Sequence, residues 1–162
     1  DINYTFKDIA AEQGMTFEQL SEQAEHDPKW DRHLDHEQVR RAREAGDAVL
    51  GSRLAIWVLT DADLKVYLDA PPEVRSERIQ RRHIETNVKP TNYDAVLTQT
   101  LERDQRDHDR YLRLYGIDND DYEFADLIVD AEALNADQIA DLIVAATRKK
   151  RADRKADPST ES

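Results

Sequence analysis

Cysteine is absent from this chain of 162 residues, which excludes a disulfide framework, a thiolate nucleophile and a cysteine-built zinc site. Glycine is almost as scarce: Gly14, Gly46, Gly51 and Gly116 are the only four, and none is followed by lysine. A Gly-x-x-x-x-Gly-Lys-Ser/Thr loop, whose backbone N–H groups and lysine hold a nucleotide's phosphates, is therefore not among these residues. No apolar run approaches membrane-spanning length and no secretory signal pattern is visible, so the expectation is a soluble, cytoplasmic protein. Positive charge is also short. With 23 Lys and Arg against 35 Asp and Glu the net charge is −12, which argues against a nucleic-acid or anionic-membrane partner.

What the chain does have is charge in bulk and regular punctuation by turns. Charged residues make up 36% and apolar residues 39%, enough for one domain with a core beneath a solvated ionic surface. Arginines cluster locally within the acidic shell, a pattern that suits a small anionic ligand. Tyr4 to Gln13 and Thr16 to Ala24 read as helices broken at Gly14, with Thr16 and Gln19 as a capping box. Pro28 marks a turn, Asp35 to Ala45 a polar helix ended by Gly46, and Ala48 to Leu50 a short strand closed by Gly51. Arg53 to Leu59 is compatible with a helix, and Leu64 to Leu68 is a second strand. Asp69-Ala70-Pro71-Pro72 then leads into a helix from Glu73 to Arg82. His83 to Asn92, with Pro90 and two asparagines, reads as a loop. Tyr93 to Tyr115 is a long helix stopped at Gly116, Phe124 to Val129 a last strand, and Ala136 to Ala146 an amphipathic helix. Strands alternating with helices imply an α/β fold with a parallel sheet. Residues 148–162, RKKRADRKADPSTES, carry charge without apolar periodicity and are expected to form a disordered tail behind a domain spanning 1–147.

Ligands in open α/β sheets bind at strand ends. Arg53 follows Gly51-Ser52 at such an end, where its planar fork either takes two phosphate oxygens or pairs with a carboxylate such as Asp47 or Asp61. Arg78 and Arg82 lie one turn apart at the approach to the 83–92 loop, set either to face a transferring anion or to pair with Glu73 and Glu77. Arg75 and Arg81 are expected to be solvated. On the long helix Leu97, Leu101, His108, Leu112 and Tyr115 fall in one stripe and are expected to face the core. Arg103, Asp107 and Arg110 project from the other side, the two arginines roughly 10 Å apart along the axis. By spacing alone this trio reads as a solvated face of i,i+4 pairs. Metal signals are thin. His33 and His36 with Asp31 and Asp35 lack a further defined ligand, and Trp30 with Leu34 reads as cover for a core edge. Asp118-Asn119-Asp120-Asp121 lacks the glycine and terminal glutamate of a calcium loop and reads as a turn, so no metal ligand is assigned.

Two blocks carry a family likeness. DAVLGSRLAIWVLTDADLKVYLDAPPEVRSERIQRR, Asp47 to Arg82, and ERDQRDHDRYLRLYGIDNDDYEFADLIVD, Glu102 to Asp130, resemble the nucleoside monophosphate kinases, most closely the short cytidylate kinases of archaeal and spirochaete type. With INYTFKDIA, Ile2 to Ala10, the likeness extends over nearly all of 1–145. The resemblance implies a three-layer kinase fold with a parallel sheet, a lid at about residues 83–92, and transfer of the γ-phosphoryl of ATP, with Mg²⁺, to CMP or dCMP. It implies that Lys7 and Arg53 hold the acceptor phosphate, with Lys7 standing where the family usually has an arginine. It further implies that Asp107 holds the acceptor sugar, that Arg103 and Arg110 bracket the acceptor nucleotide, and that Arg78 and Arg82 close over the migrating phosphoryl. These kinases begin with a strand and a phosphate loop, and INYTFK resembles their second segment. The chain is accordingly expected to be a fragment without its first strand, inactive alone, with Mg²⁺ ligands upstream of Asp1. Leu54 stands where the long bacterial cytidylate kinases carry a base-reading aspartate, so cytosine follows from the resemblance and from no residue read here. A non-catalytic nucleotide-binding relative and a protein-interaction module on a kinase scaffold fit the same residues, and the oligomeric state is open.

Overall fold

The computed structural model describes residues 4–156, which divide after Thr60 into two compact units. The break falls at Thr60-Asp61-Ala62-Asp63, a polar stretch that the reading of one domain over 1–147 does not mark as a boundary.

The first unit is helical: α1 (Phe6–Glu12), α2 (Phe17–His26), α3 (Lys29–Ala45) and α4 (Ala55–Val58). Asp8 accepts hydrogen bonds from the Thr5 backbone N–H and hydroxyl at 2.7 and 2.6 Å, so α1 opens on a satisfied turn. Gly14, at φ +66°, reverses the chain after α1 without the cost a side chain would add. The expected capping box opens α2, with Gln19 N–H donating to Thr16 Oγ1 at 3.2 Å and Thr16 N–H to Gln19 Oε1 at 2.9 Å. Helix α3 starts at Lys29 rather than Asp35. Pro28 presets the backbone at φ −59°, and Trp30 and Leu34 then turn toward a core built from Tyr4, Ile9, Ala10, Leu20 and Trp30.

The strand expected over Ala48 to Leu50 does not form. Residues 48–50 have no regular secondary structure, Val49 is 88% exposed, and no strand among the described residues pairs with them. An isolated run of apolar residues leaves its backbone groups to water, so hydrophobicity alone cannot make it a strand.

The second unit holds β1 (Val66–Asp69), α5 (Pro72–Thr86), α6 (Tyr93–Tyr115), β2 (Leu127–Asp130) and α7 (Ala136–Ala156). The strands pair in parallel from Val66 opposite Leu127 to Asp69 opposite Asp130, so the α/β reading with a parallel sheet holds. Among the described residues the sheet has two strands. Ala131 N–H extends the ladder by donating to Asp69 C=O at 2.7 Å. Helices α5 and α6 form the crossover that parallel strands require, and they pack along each other.

Other boundaries also differ from the sequence reading: β1 starts at Val66 rather than Leu64 and β2 at Leu127 rather than Phe124, and the ends of α5 and α7 move further. Helix α5 runs to Thr86, so the first residues of the expected 83–92 lid are helical and the connection is confined to residues 87–92. His83 to Thr86 contain no glycine or proline, and Asn87 in the left-handed region, φ 52°, ends the helix. Helix α7 runs to Ala156, well into the segment 148–162 expected to be disordered. Ala, Lys and Arg are strong helix formers, and cations at a helix C-terminus complement its dipole. Lys150 pairs with Asp126 and Arg154 with Asp63, which ties this charged stretch of α7 to the unit. The rest of the expected tail, 157–162, lies outside the described residues.

Candidate functional site

In the first unit Lys7 lies exposed near the start of α1. Arg53 occupies the exposed bend that leads into α4, not the end of a strand. Leu54 N–H donates to Ser52 Oγ at 3.2 Å across it, while Leu54 and Ala55 are buried and fix the bend to the unit. A narrow groove lined by Asp35, Gln38, Val39, Leu50, Ser52 and Leu54 runs beside this bend, so both chain neighbours of Arg53 contribute to its wall.

In the second unit two basic residues of α5, Arg75 and Arg78, attach to the strand ends. Arg78 Nη2 donates to Ala131 C=O at 2.5 Å, immediately past β2, and Arg82 lies exposed one turn further along. Arg75 is not solvated as expected. Its Nε donates to Ala70 C=O, just past β1, at 3.1 Å, and its two Nη groups grip both carboxylate oxygens of Asp104 on α6 at 3.0 and 2.5 Å. This hydrogen-bonded pairing with Asp104 is the first cause that holds the Arg75 guanidinium above its ordinary pKa. Arg81 is exposed, as expected, and lines a broad groove with Glu77, Gln80, Ile84 and Tyr93.

Helix α6 presents a different face to its neighbours from the one its leucines suggest. Its buried residues are Val96, Thr100 and Tyr111, whereas Leu101 and Leu112 are 49% and 44% exposed. At about 100° per residue the buried stripe is turned roughly a quarter of a circle from the leucine stripe. Asp107 and Arg110 therefore lie beside the buried stripe, with side chains only 18% and 21% exposed, and are not the outward pair that spacing implied. Arg110 Nη2 stands 3.7 Å from Asp107 Oδ1 and donates to the Tyr111 hydroxyl at 3.1 Å, its guanidinium 4.8 Å from the Tyr111 ring centre. Arg103 shares this side of the helix and is exposed. The arrangement offers a fixed carboxylate between two arginines, suited to hydroxyls and an anion on one ligand.

The sequence reading missed one cluster. The turn expected at Asp118 to Asp121 brings Asp118 and Asp120 to His108, and their ligand atoms lie within 4.8 Å of one another. His108 Nδ1 stands 3.8 and 3.7 Å from the carboxylates and 2.8 Å from Asn119 Oδ1. Both aspartates are largely exposed, so hydration satisfies them as readily as a cation would. No helix among the described residues is long and apolar enough to cross a membrane.

A family model described as cytidylate kinase matches residues 14–149. The chain is 42% identical over 146 residues to cytidylate kinase 2 of Borreliella afzelii, an alignment covering 88% of this chain and 78% of the relative. It is 38% identical over 141 residues to the cytidylate kinase of Pyrococcus furiosus, covering 87% and 70% respectively. With the cytidylate kinase of Archaeoglobus fulgidus it shares 34% identity over 146 residues, covering 90% and 78%. No solved structure matches significantly.

Proposed function

The chain belongs to the cytidylate kinase family, and from that premise we propose that it phosphorylates CMP or dCMP with the γ-phosphoryl of ATP, Mg²⁺ accompanying the donor. Phosphoryl transfer asks a protein chiefly for positioning and charge neutralisation, and arginines set among carboxylates supply both. Asp107 accepts hydrogen bonds from the ribose hydroxyls of the acceptor, while Arg103 and Arg110 hold the nucleotide on either side. Arg53 grips the acceptor phosphate, with Lys7 adding charge but not a bidentate fork. Arg78 and Arg82 neutralise the migrating phosphoryl, for which Arg78 exchanges the Ala131 carbonyl for an anion, a stronger partner. The three-layer arrangement of the complete fold belongs to the same reading.

The residues present do not form a cradle for the Mg²⁺–triphosphate. No glycine is followed by lysine, and the carboxylates gathered at His108 are largely exposed. The chemistry assigned to this chain's residues is therefore that of the acceptor and of the migrating phosphoryl.

The observation that carries the reading is the pairing of Asp107 with Arg110 on the sheltered side of α6. A merely solvated pair would sit on the outside of the helix, where it adds little. The test is kcat/KM for CMP and dCMP on Asp107→Asn in the complete gene product, beside its urea midpoint. A fall of 10-fold or more for CMP, a smaller one for dCMP and a midpoint within error of the parent are expected. Unchanged kinetics for both substrates would return the trio to a structural role.

A further inference from the structure

We propose that Arg75 is a positioning residue, which sets the height and rotation of α6 and so the aim of its acceptor-binding face. The inference rests on the acceptor reading of Arg103, Asp107 and Arg110 given above.

Three pieces of chain meet at the Arg75 guanidinium. Its Nε is held by the Ala70 carbonyl at 3.1 Å, which fixes the guanidinium to the end of β1. Its two Nη groups take both oxygens of Asp104 at 3.0 and 2.5 Å. A fork held on one edge and gripping a carboxylate along the other has no rotational freedom left, so Asp104 is located relative to the sheet end as well as to α5. Asp104 precedes Asp107 by one turn and follows Arg103 directly, a step of about 100° around the axis, so a carboxylate fixed there fixes the rotation of the helical backbone that carries both.

The small buried residues of the two helices do not by themselves supply that register. The buried residue of α5 is Ser76, and those of α6 are Val96, Thr100 and Tyr111. Ser76 and Thr100 each turn their hydroxyl back to their own helix, donating to Pro72 C=O at 2.6 Å and Val96 C=O at 2.8 Å. They are small and self-satisfied, and offer no knob that locks one register against another. Non-directional contact of this kind permits sliding and rolling that a bidentate pair resists. Arg75 also sits one turn before Arg78, which bonds the Ala131 carbonyl past β2, so α5 is pinned at the ends of both strands.

The experiment measures kcat, KM for CMP, KM for ATP and the urea midpoint in the complete gene product, for Arg75→Ala, Arg75→Lys and Asp104→Asn. A positioning role gives Arg75→Ala a KM for CMP raised 10-fold or more, while KM for ATP stays within about twofold. Arg75→Lys recovers only part of that loss, because a lysine cannot hold the carbonyl and both carboxylate oxygens together. Asp104→Asn moves KM for CMP in the same direction, and combined with Arg75→Ala it adds little. If Arg75→Ala does not fold, the two conservative variants carry the same comparison. A lowered midpoint with KM for CMP within twofold, or equal changes in both KM values, overturns the inference and leaves the pair as a stabilising contact. Asp107→Asn separates the two ideas. If it acts and the Arg75 and Asp104 variants do not, only the positioning fails; if it leaves CMP kinetics unchanged, the acceptor face and the positioning role fall together.

Discussion

At the scale of single residues, the first unit is organised around a tyrosine that is held at its hydroxyl, its ring and its backbone carbonyl. Tyr4 is fully buried, its hydroxyl donates to Glu12 Oε2 at 2.5 Å, and the guanidinium of Arg41 lies 4.2 Å from its ring centre. Gln38 on α3 donates to the Tyr4 carbonyl at 2.9 Å, so this one residue ties the entry to α1 to a helix far along the chain. Burial first, and then the hydrogen bond to Glu12, pushes the Tyr4 phenol up from 10.0 to about 12. A raised folded-state pKa means that the folded state keeps a proton the unfolded chain gives up. The contribution is therefore complete below about pH 10 and is lost as pH rises through about 12. Tyr4→Phe should cost about 1.5–3 kcal/mol at pH 7, the typical net worth of a hydrogen bond to a charged group. It should also flatten the fall in stability between about pH 10 and 12. Urea midpoints of both proteins across that range decide it, and parallel curves would mean that another group controls the alkaline limb.

At the scale of elements, the clearest contrast lies on β2, where adjacent apolar residues meet opposite environments. Val129 is 2% exposed and Ile128 is 45% exposed, as the period of two in a strand requires. Val129→Ala should therefore cost about 2 kcal/mol, from lost transfer energy and a residual cavity. Ile128→Ala should cost about 1 kcal/mol or less, and equal costs by urea denaturation would contradict the burial of this sheet face. Elements of this kind were legible where local chemistry decides them. The Thr16–Gln19 box, the stop of α6 at Gly116 and its start at Tyr93 follow from capping and turn preferences that act within a few residues. The facing of α6 was not legible, because it buries Thr100 and spends Asp104 on Arg75, and a count of apolar positions passes over both. Nor was the end of α7, where ion pairs to Asp126 and Asp63 replace the apolar stripe that periodicity seeks.

At the scale of the whole molecule, the family was legible because it is written in the order of several blocks and does not depend on any one of them. The candidate site was legible in part. Arg103, Asp107 and Arg110 do share one side of a helix, whereas Arg53 stands on a bend because a strand cannot form from Val49 and Leu50 without a partner. Charge is the property the molecule carries everywhere. A net charge of −12 makes every compact state self-repelling, and that repulsion reaches across roughly 30 Å at 0.01 M salt but only about 3 Å at 1 M. Salt also weakens attractive pairs. Pairs such as Lys29–Asp27 and Arg40–Glu44 are half-exposed, however, and such pairs are worth about 0–1 kcal/mol each even before screening. Relief of the long-range repulsion should therefore win. Thermal unfolding is expected to move up by about 2–4 °C or more between 0.01 and 1 M NaCl, the shift that roughly 1 kcal/mol produces in a protein of this size. Scanning calorimetry with NaCl and KCl in parallel checks it. A midpoint that falls with either salt would mean that the surface pairs, and not the net charge, dominate the electrostatics of the fold.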